Sequence, residues 1–220
     1  MIRTGLLCVP VYDETASDSV RKLLLGVAPS AVIIIARHVA SQRYLVEEVL
    51  RQWCDAEELD LILTIGGALP APGPSASEIV PEATTAVIER PMPALNQTMR
   101  ALAARETPLA LLDRGVAGIR GRTLIVNLPA GAKAASLFLS AIAAVLPAVI
   151  AHLQDDPTAP SLEATLAAQT MPGLSQAAAS AAALDAPAPV AARRPARSLD
   201  PAEFAAFLQR NAGKDTPSAP

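Results

Sequence analysis

A short apolar run that stops abruptly at two glycines sets the fold class of this chain. Leu61–Ile65 reads Leu-Ile-Leu-Thr-Ile and is followed at once by Gly66 and Gly67. Such a run predicts a buried parallel strand that enters a tight turn, and glycine lets the backbone approach a ligand closely. A loop rich in Pro and Ala follows, and a helix is predicted to begin near Val80 and Pro81. Strand, turn and helix start together predict an anion-binding corner, although a double glycine alone more often marks only a turn.

Apolar runs and helical patterns alternate along the first 150 or so residues. The predicted strands cover residues 5–11, 31–36, 61–65, 109–112 and 123–126. The predicted helices cover residues 19–26, capped by Ser17 or Asp18, then 41–55, 81–89, 93–105 and a segment from about residue 133. This alternation predicts an α/β domain with a mostly parallel sheet covered on both faces. Because ligands bind beyond the carboxyl ends of such strands, we expect the loops at Asp13, Gly66–Gly67 and 127–131 to meet.

Composition excludes several classes of protein. The formal net charge is −3, which argues against a general nucleic-acid binder. Cys8 and Cys54 are isolated, without metal-ligand spacing, and the N-terminal residues lack the apolar region of a signal peptide. A reducing, cytoplasmic location is therefore expected. Residues 134–153 are nearly long enough to span a bilayer, but Pro147 and the high alanine content favour a buried helix, and no membrane association is expected.

The composition changes after the predicted domain at residues 1–155. Residues 156–198 are dominated by Ala, Pro, Ser and Thr, which predicts a flexible linker. Residues 199–211 return to an amphipathic pattern, with Phe204, Phe207 and Leu208 on one face. This predicted helix either docks on its own domain or a neighbouring subunit, or binds a partner protein. Residues 212–220 are predicted to be a disordered tail.

Four basic residues lie near two of the predicted ligand loops, although the chain as a whole is acidic: Arg114, Arg120, Arg122 and Lys133. A guanidinium binds a phosphate through two parallel hydrogen bonds. A solvated basic surface is the simpler explanation for these residues alone. Together with two glycine loops at the same sheet edge, they favour a phosphate-bearing ligand.

Polar side chains near the same loops offer further chemistry. The carboxylates are Asp13, Glu78, Glu82 and Asp113. They are suited either to Mg²⁺, which prefers oxygen ligands, or to the N–H groups of a purine or pterin. Glu82 is better explained by its place at a helix start. Asn127 either offers its amide to a ring edge or caps the following turn.

Three stretches resemble one known family. Residues 59–67, residues 80–90 (Val-Pro-Glu-Ala-Thr-Thr-Ala-Val-Ile-Glu-Arg) and residues 107–129, with Arg-Gly-Val-Ala-Gly-Ile-Arg-Gly-Arg-Thr-Leu-Ile-Val-Asn-Leu-Pro, are similar to the molybdopterin-binding MoaB/Mog proteins. The resemblance covers about residues 5–153. It implies a three-layer α/β/α fold, commonly trimeric, and transfer of AMP from Mg-ATP to the terminal phosphate of molybdopterin.

The resemblance also implies roles for particular residues. Those that fit the family pattern and would bind molybdopterin or ATP are Gly66, Gly67, Arg114, Gly115, Asn127, Pro129 and Lys133. Glu78 and Asp13 would be the catalytic residues and the ligands of Mg²⁺. ATP and molybdopterin would be substrates, and a molybdoenzyme or cofactor-biosynthesis protein would be a partner for residues 199–211.

The chain departs from the family pattern where catalysis is expected. The family's Gly-Gly-Thr-Gly is here Gly66-Gly67-Ala68-Leu69, and an Arg-Asp pair is replaced by Ser77-Glu78. Glu78 keeps the charge, but a longer side chain misplaces a reacting group by about 1 Å, which can lower a rate ~10²-fold. Asp113 replaces a small residue and is expected to repel a substrate phosphate.

These departures leave three hypotheses. The chain is a molybdopterin adenylyltransferase, or a non-catalytic carrier or chaperone of molybdopterin or its cofactor form, or a binder of an unrelated nucleotide or pterin. The intact Gly66, Gly67 and Arg114 favour binding under either of the first two hypotheses, and the altered loop leaves the third open.

Overall fold

The computed structural model describes residues 1–70, 73 and 78–168. The strands are β1 (Ile2–Cys8), β2 (Ala31–His38), β3 (Leu61–Ile65), β4 (Arg90–Pro91), β5 (Ala117–Arg120) and β6 (Thr123–Leu128). The helices are α1 (Glu14–Val27), α2 (Arg43–Asp55), α3 (Val80–Val87), α4 (Pro93–Ala103), α5 (Ala132–Ile142), α6 (Leu146–Leu153) and α7 (Ala159–Ala167). Two 3₁₀ helices span Pro108–Leu112 and Ala143–Val145. The described part of the chain is therefore an alternating α/β domain, as predicted.

One six-stranded sheet carries the domain, in the order β2-β1-β3-β6-β5-β4. The first four strands are parallel, and β5 and β4 continue the sheet in antiparallel pairing. Helices cover both faces and bury two separate apolar clusters. One cluster contains Leu24, Met99 and Phe138 from α1, α4 and α5, and the other contains Trp53 and Val87 from α2 and α3. The predicted three-layer fold with a mostly parallel sheet is confirmed.

Strand register brings three loops to one edge of the sheet. Cys8 of β1 pairs with Ile65 of β3, and Ile65 pairs with Leu128 of β6. The hydrogen bonds continue past the strand ends, because Val9 N–H donates to the Ile65 carbonyl at 2.9 Å and Gly66 N–H donates to the Leu128 carbonyl at 3.0 Å. The loops that follow β1, β3 and β6 therefore lie side by side, as predicted from the alternating pattern.

Several predicted elements are wrong. Residues 109–112 are not a strand but part of the 3₁₀ helix Pro108–Leu112, whose Leu109, Leu111 and Leu112 are exposed. A strand at this position would need both faces buried in such a sheet. The short strands β4 and β5 were not predicted, because each has only a few residues and little apolar pattern.

The start of the first helix was also predicted wrongly. Helix α1 begins at Glu14, and its cap is Asp13, whose Oδ1 accepts the Ala16 N–H at 2.9 Å. Ser17, one of the two predicted caps, is buried inside the helix and lies 3.4 Å from the Cys8 sulfur. A side-chain cap requires only a free backbone N–H at a helix start, so several polar residues in a row satisfy the same local rule.

One long apolar segment lies near the end of the described domain. Residues Ala132–Leu153 are long and apolar enough to cross a membrane, but half of the most apolar window is buried inside the domain. The segment is divided into α5, a 3₁₀ turn and α6, and α5 packs on α1 and α4.

Helix α7 lies within residues 156–198, which the sequence predicts to be a flexible linker, so part of that stretch is helical instead. The predicted helix at 199–211 and the tail at 212–220 lie outside the described residues.

Candidate functional site

The glycine turn after β3 fits tightly against the loop after β1. Gly66 has a φ of +99°, and a Cβ at this position would lie 2.1 Å from the Val9 carbonyl oxygen. Both the backbone conformation and the contact exclude a side chain. Gly67 also has a positive φ, of 62°. The two glycines therefore let the turn pack against its neighbouring loop at the edge where a ligand is expected.

Asn127 joins three parts of the site from inside the protein. It is fully buried at the end of β6. Its Nδ2 donates to the hydroxyl oxygens of Thr64, at 3.0 Å, and Thr84, at 2.9 Å, while its Oδ1 accepts the Val116 N–H at 3.1 Å. Both amide hydrogens are therefore used within the protein. The structure gives Asn127 a positioning role in place of the two roles weighed from the sequence.

Arg114 lies between the glycine turn and the start of α3. Its backbone N–H donates to the Ala68 carbonyl at 2.9 Å, which ties it to the Gly66–Gly67 turn. Its guanidinium forms an ion pair with Glu82 in the first turn of α3, and both side chains remain partly exposed. The second carboxylate oxygen of Glu82, Oε2, is buried and has no hydrogen-bond partner among the described residues. Arg114 keeps N–H groups for a further anion, since a guanidinium carries five.

Asp113 points into the protein. Its side chain has no exposed surface, and its Oδ2 accepts the Gly115 N–H at 3.2 Å. Burial raises the pKa of this carboxyl, while Gly115 and the nearby Arg100 guanidinium act to lower it. The expected repulsion between Asp113 and a substrate phosphate is therefore not supported by its position. The side chain shapes the backbone beside Arg114 instead.

The two predicted catalytic carboxylates occupy different settings. Asp13 is the cap of α1, so one of its oxygens is already engaged by the Ala16 N–H. Glu78 is half-buried just before α3. In the part of the chain that the structure describes, no group of three or more His, Cys, Asp or Glu side chains is placed to hold a metal ion. A Mg²⁺ ion at this edge would therefore take one or two carboxylates and complete its shell with substrate phosphates and water.

A mostly apolar cavity of about 230 Å³ adjoins the glycine turn. Its lining includes Leu69, Leu109, Ala110, Pro129, Lys133 and Phe138. Lys133 lies in the first turn of α5, after Gly131 with its φ of +86°. The cavity thus places the Lys133 ammonium group and a helix start beside apolar walls, and Glu106 adds a carboxylate to the lining. Such a combination suits a ligand with a flat ring at one end and an anionic group at the other.

Two of the four basic residues grouped by the sequence are absent from this edge. Arg120 ends β5 and pairs with Asp55 at 2.7 Å and with Glu89 at 3.8 Å. Arg122 directly precedes β6, so it lies at the amino end of that strand, opposite Asn127. The expectation that all four cluster near the ligand loops is wrong for this pair. The β5–β6 hairpin reverses the chain between Arg114 and Asn127 and carries the two arginines to the far edge.

The sequence missed Arg100, Thr64 and Thr84, which support the site from neighbouring elements. Arg100 belongs to the last turn of α4, and its guanidinium contacts the segment that carries Arg114. Thr64 and Thr84 accept the hydrogen bonds of Asn127 from β3 and α3. Each of these contacts joins residues far apart in the chain, so the local spacing of residues does not predict them.

Comparison with known proteins decides the family. The sequence profile of a family described as a probable molybdopterin binding domain matches residues 12–151, more than half of the chain. The chain belongs to the molybdopterin-binding MoaB/Mog family. This membership confirms the resemblance found in the sequence and assigns the chain to molybdenum-cofactor biosynthesis.

Individual relatives agree with this assignment. The MoaB protein of Thermus thermophilus has a similar structure, with a TM-score of 0.65, 38% identity, and coverage of 71% of this chain and 99% of that protein. The Mog protein of Mycobacterium ulcerans is 26% identical, with a TM-score of 0.61 over 70% of this chain and 99% of that protein. A molybdopterin adenylyltransferase of Helicobacter pylori is 31% identical over 62% of this chain and 76% of its own length.

A fourth relative is much longer than the shared region. The molybdenum cofactor synthesis protein cinnamon of Drosophila melanogaster is 33% identical over 68% of this chain, but the match spans only 24% of the fly protein. The family domain therefore also occurs as one part of a larger chain.

Proposed function

We propose that this family member binds molybdopterin and ATP at the carboxyl edge of the sheet and transfers AMP to the molybdopterin phosphate. The observation that carries the proposal is the link between Arg114 and the glycine turn, through the Arg114 N–H and the Ala68 carbonyl. This bond holds a guanidinium beside a turn whose backbone is free of side chains. A phosphate in that position would receive hydrogen bonds from both.

The proposed chemistry is an in-line displacement. A phosphate oxygen of molybdopterin forms a bond to the α-phosphorus of ATP, the bond from that phosphorus to the bridging oxygen breaks, and pyrophosphate leaves. Arg114 and Lys133 would neutralise the charge that develops on the phosphate oxygens. Glu78 would replace the family aspartate in positioning the reactants, and Asp13 is the second proposed catalytic carboxylate. These two carboxylates would also be the protein ligands of Mg²⁺, which supplies charge neutralisation between ATP phosphates when bound.

A carrier that binds molybdopterin without adenylylating it is the second candidate. Leu69 stands where the family has glycine, and it lines the apolar cavity beside Pro129. A leucine side chain in the glycine motif restricts the approach of a phosphate to the backbone and enlarges the apolar wall. These features favour tight binding of a ring system over close positioning of two phosphates.

One assay separates the two candidates. Purified protein is mixed with molybdopterin and Mg-ATP, and released pyrophosphate and adenylylated product are followed in the same sample. Product formation supports the adenylyltransferase, and saturable molybdopterin binding without product supports the carrier. The double variant Leu69→Gly with Glu78→Asp restores the family residues at two of the altered positions, so turnover that appears only in this variant would rule out catalysis by the natural chain. Absence of any molybdopterin binding would overturn both candidates.

We also propose an oligomeric state and a cellular location for the protein. The edge strand β2 exposes Val32 and Ile34 at 42% and 43%, although both are large apolar side chains. An apolar edge strand of eight residues is normally covered in a native protein. A homotrimer, as the family resemblance implies, would provide a cover from a second copy. We place the protein in the cytoplasm, where molybdopterin synthesis supplies the substrate.

A further inference from the structure

The Arg100 guanidinium contacts the residues on both sides of Arg114. Its Nη1 donates to the Gly115 carbonyl at 3.1 Å and makes two longer contacts, at 3.4 Å each, with the carbonyl and Oδ2 of Asp113. These acceptors flank Arg114 on both sides. We call this set of contacts the Arg100 clamp.

The clamp is closed from the other side by Asp113. Its Oδ2 accepts the Gly115 N–H at 3.2 Å, so one carboxylate oxygen contacts both the guanidinium and the backbone beyond Arg114. The Asp113 side chain is fully buried, whereas that of Arg100 is 30% exposed. A buried carboxylate needs a compensating charge. Among the described residues, Arg100 forms the ion pair with Asp113 that provides this charge.

Two further hydrogen bonds hold the same segment. The Arg114 N–H is bound by the Ala68 carbonyl, and the Val116 N–H is bound by Asn127 Oδ1 at 3.1 Å. With the clamp in place, the backbone from Asp113 to Val116 has a partner at each step. Only the Arg114 side chain points to the partly exposed edge where it meets Glu82.

We propose that Arg100 and Asp113 are positioning residues that fix the direction of the Arg114 guanidinium for binding a phosphate. The inference rests on the proposed function, because it assumes that Arg114 binds the phosphate of molybdopterin. Arg100 acts through the backbone carbonyls of Asp113 and Gly115 and through the Asp113 carboxylate. A rigid segment lowers the entropy that Arg114 loses on binding.

The test uses Arg100→Lys, which keeps the positive charge near Asp113. Its ammonium nitrogen is one bond short of the position of Nη1, the atom that makes all three contacts in the clamp. Two readouts are measured on the full chain: hydrogen exchange of the Gly115 amide, and the affinity for molybdopterin and for inorganic pyrophosphate. Arg43→Lys is the matched control, because Arg43 is an exposed arginine that pairs with Glu47 on α2. We expect Arg100→Lys to speed Gly115 exchange and to weaken both ligands about tenfold, within the range of coupling inside one hydrogen-bond network.

A double-variant cycle distinguishes positioning from a general loss of structure. If the clamp acts through Arg114, Arg100→Lys has little effect on affinity when Arg114→Gln is already present. An equal loss in both backgrounds, or unchanged exchange at Gly115, would overturn the proposal.

The same experiment separates this inference from the proposed function. If the natural chain binds pyrophosphate but not molybdopterin, the proposed function fails while the cycle with pyrophosphate still decides the clamp. If the natural chain binds neither, both proposals fall. Asp113→Asn provides a second variant, and it is expected to weaken pyrophosphate binding in the same Arg114-dependent way.

Discussion

The side-chain amide of Asn127 lies 2.9 Å from the Thr84 hydroxyl and so joins the last parallel strand to the first turns of α3. The same nitrogen also donates to Thr64 of β3. The two elements that border the candidate site are thereby fixed to each other by one buried side chain. This relationship gives Asn127 a role in holding the two elements of the site together.

Replacing Asn127 with alanine is expected to destabilise the domain strongly. It would leave the Val116 N–H and two threonine hydroxyls without their partner. Each buried group left unsatisfied costs about 1–3 kcal/mol, so a loss of about 3 kcal/mol or more in the free energy of unfolding is expected. Urea unfolding measures it. Gln97→Ala on the exposed face of α4 is the control and should change stability by less than about 0.5 kcal/mol; similar losses for both variants would contradict the assigned role.

Alanine substitutions at Gly66 and Gly121 distinguish the cost of a steric clash from the cost of a left-handed backbone conformation. Both have positive φ, but a Cβ at Gly66 would meet the Val9 carbonyl at 2.1 Å, while one at Gly121 meets no atom of the described residues within 4 Å. Alanine at Gly121 should cost about 1 kcal/mol, the usual penalty of a left-handed conformation. Alanine at Gly66 should cost clearly more in thermal unfolding, because the loop after β1 must also move. Equal costs would show that the contact with Val9 is easily relaxed.

Arg114 and Arg120 should differ in their effect on ligand binding. Arg114→Gln is expected to weaken molybdopterin binding about 10- to 100-fold, since a hydrogen bond to a charged group contributes about 1.5–3 kcal/mol. Arg120→Gln removes the pair with Asp55 at the far edge of the sheet and should leave the affinity unchanged. Calorimetric titration of both variants checks the assignment. A weakening by Arg120→Gln comparable to that of Arg114→Gln would place the phosphate elsewhere.

The buried carboxyl of Asp113 should make stability depend on pH. Burial raises its folded-state pKa above the ordinary value of 3.8. The folded state therefore binds this proton more tightly than the unfolded state, so the associated stability is present at low pH and is lost as the pH rises toward the folded-state pKa. Relative to Asp113→Asn, the natural chain should lose unfolding free energy above pH 3.8, with a slope of at most about 1.4 kcal/mol per pH unit. Urea unfolding at a series of pH values measures the difference between the two chains, and a difference independent of pH would contradict the raised pKa.

The exposed edge strand offers a test of assembly. Ile34 is 43% exposed on β2, and a lysine there should weaken an apolar contact between copies. Sedimentation velocity is expected to show a trimer for the natural chain and smaller species for Ile34→Lys. Gln97→Lys adds the same charge on α4 and should leave the assembly intact. A natural chain that sediments as a monomer would exclude the trimer directly.

Much of the domain follows from local pattern. The run at Leu61–Ile65 and the two glycines behind it predict a buried strand and a turn, because apolar continuity and missing Cβ atoms act over a few residues. The alternation of such strands with amphipathic helices predicts a parallel sheet and the edge where its loops meet. The stretch from Arg114 to Pro129 also carries the family signature, which comparison confirms.

Other features depend on contacts that no local pattern contains. Residues 109–112 have the composition of a strand, but no strand in the described part of the chain pairs with them, and they form a 3₁₀ helix. Arg114 and Arg120 lie six positions apart, yet the hairpin of β5 and β6 sends them to opposite edges. Their separation depends on hydrogen bonding between strands and is invisible in the spacing of the residues.

The sequence by itself determined the fold class, the family and the edge of the sheet where three loops meet, because these depend on short-range periodicity and on a few glycines. Only the tertiary structure decided which polar side chains face that edge. It turned Asp113 inward and assigned Asn127 to internal hydrogen bonds, and it brought Arg100 from α4 against the backbone of Gly115. The physical reason is that a buried polar group needs a hydrogen-bond partner, and tertiary packing brings that partner from any position along the chain.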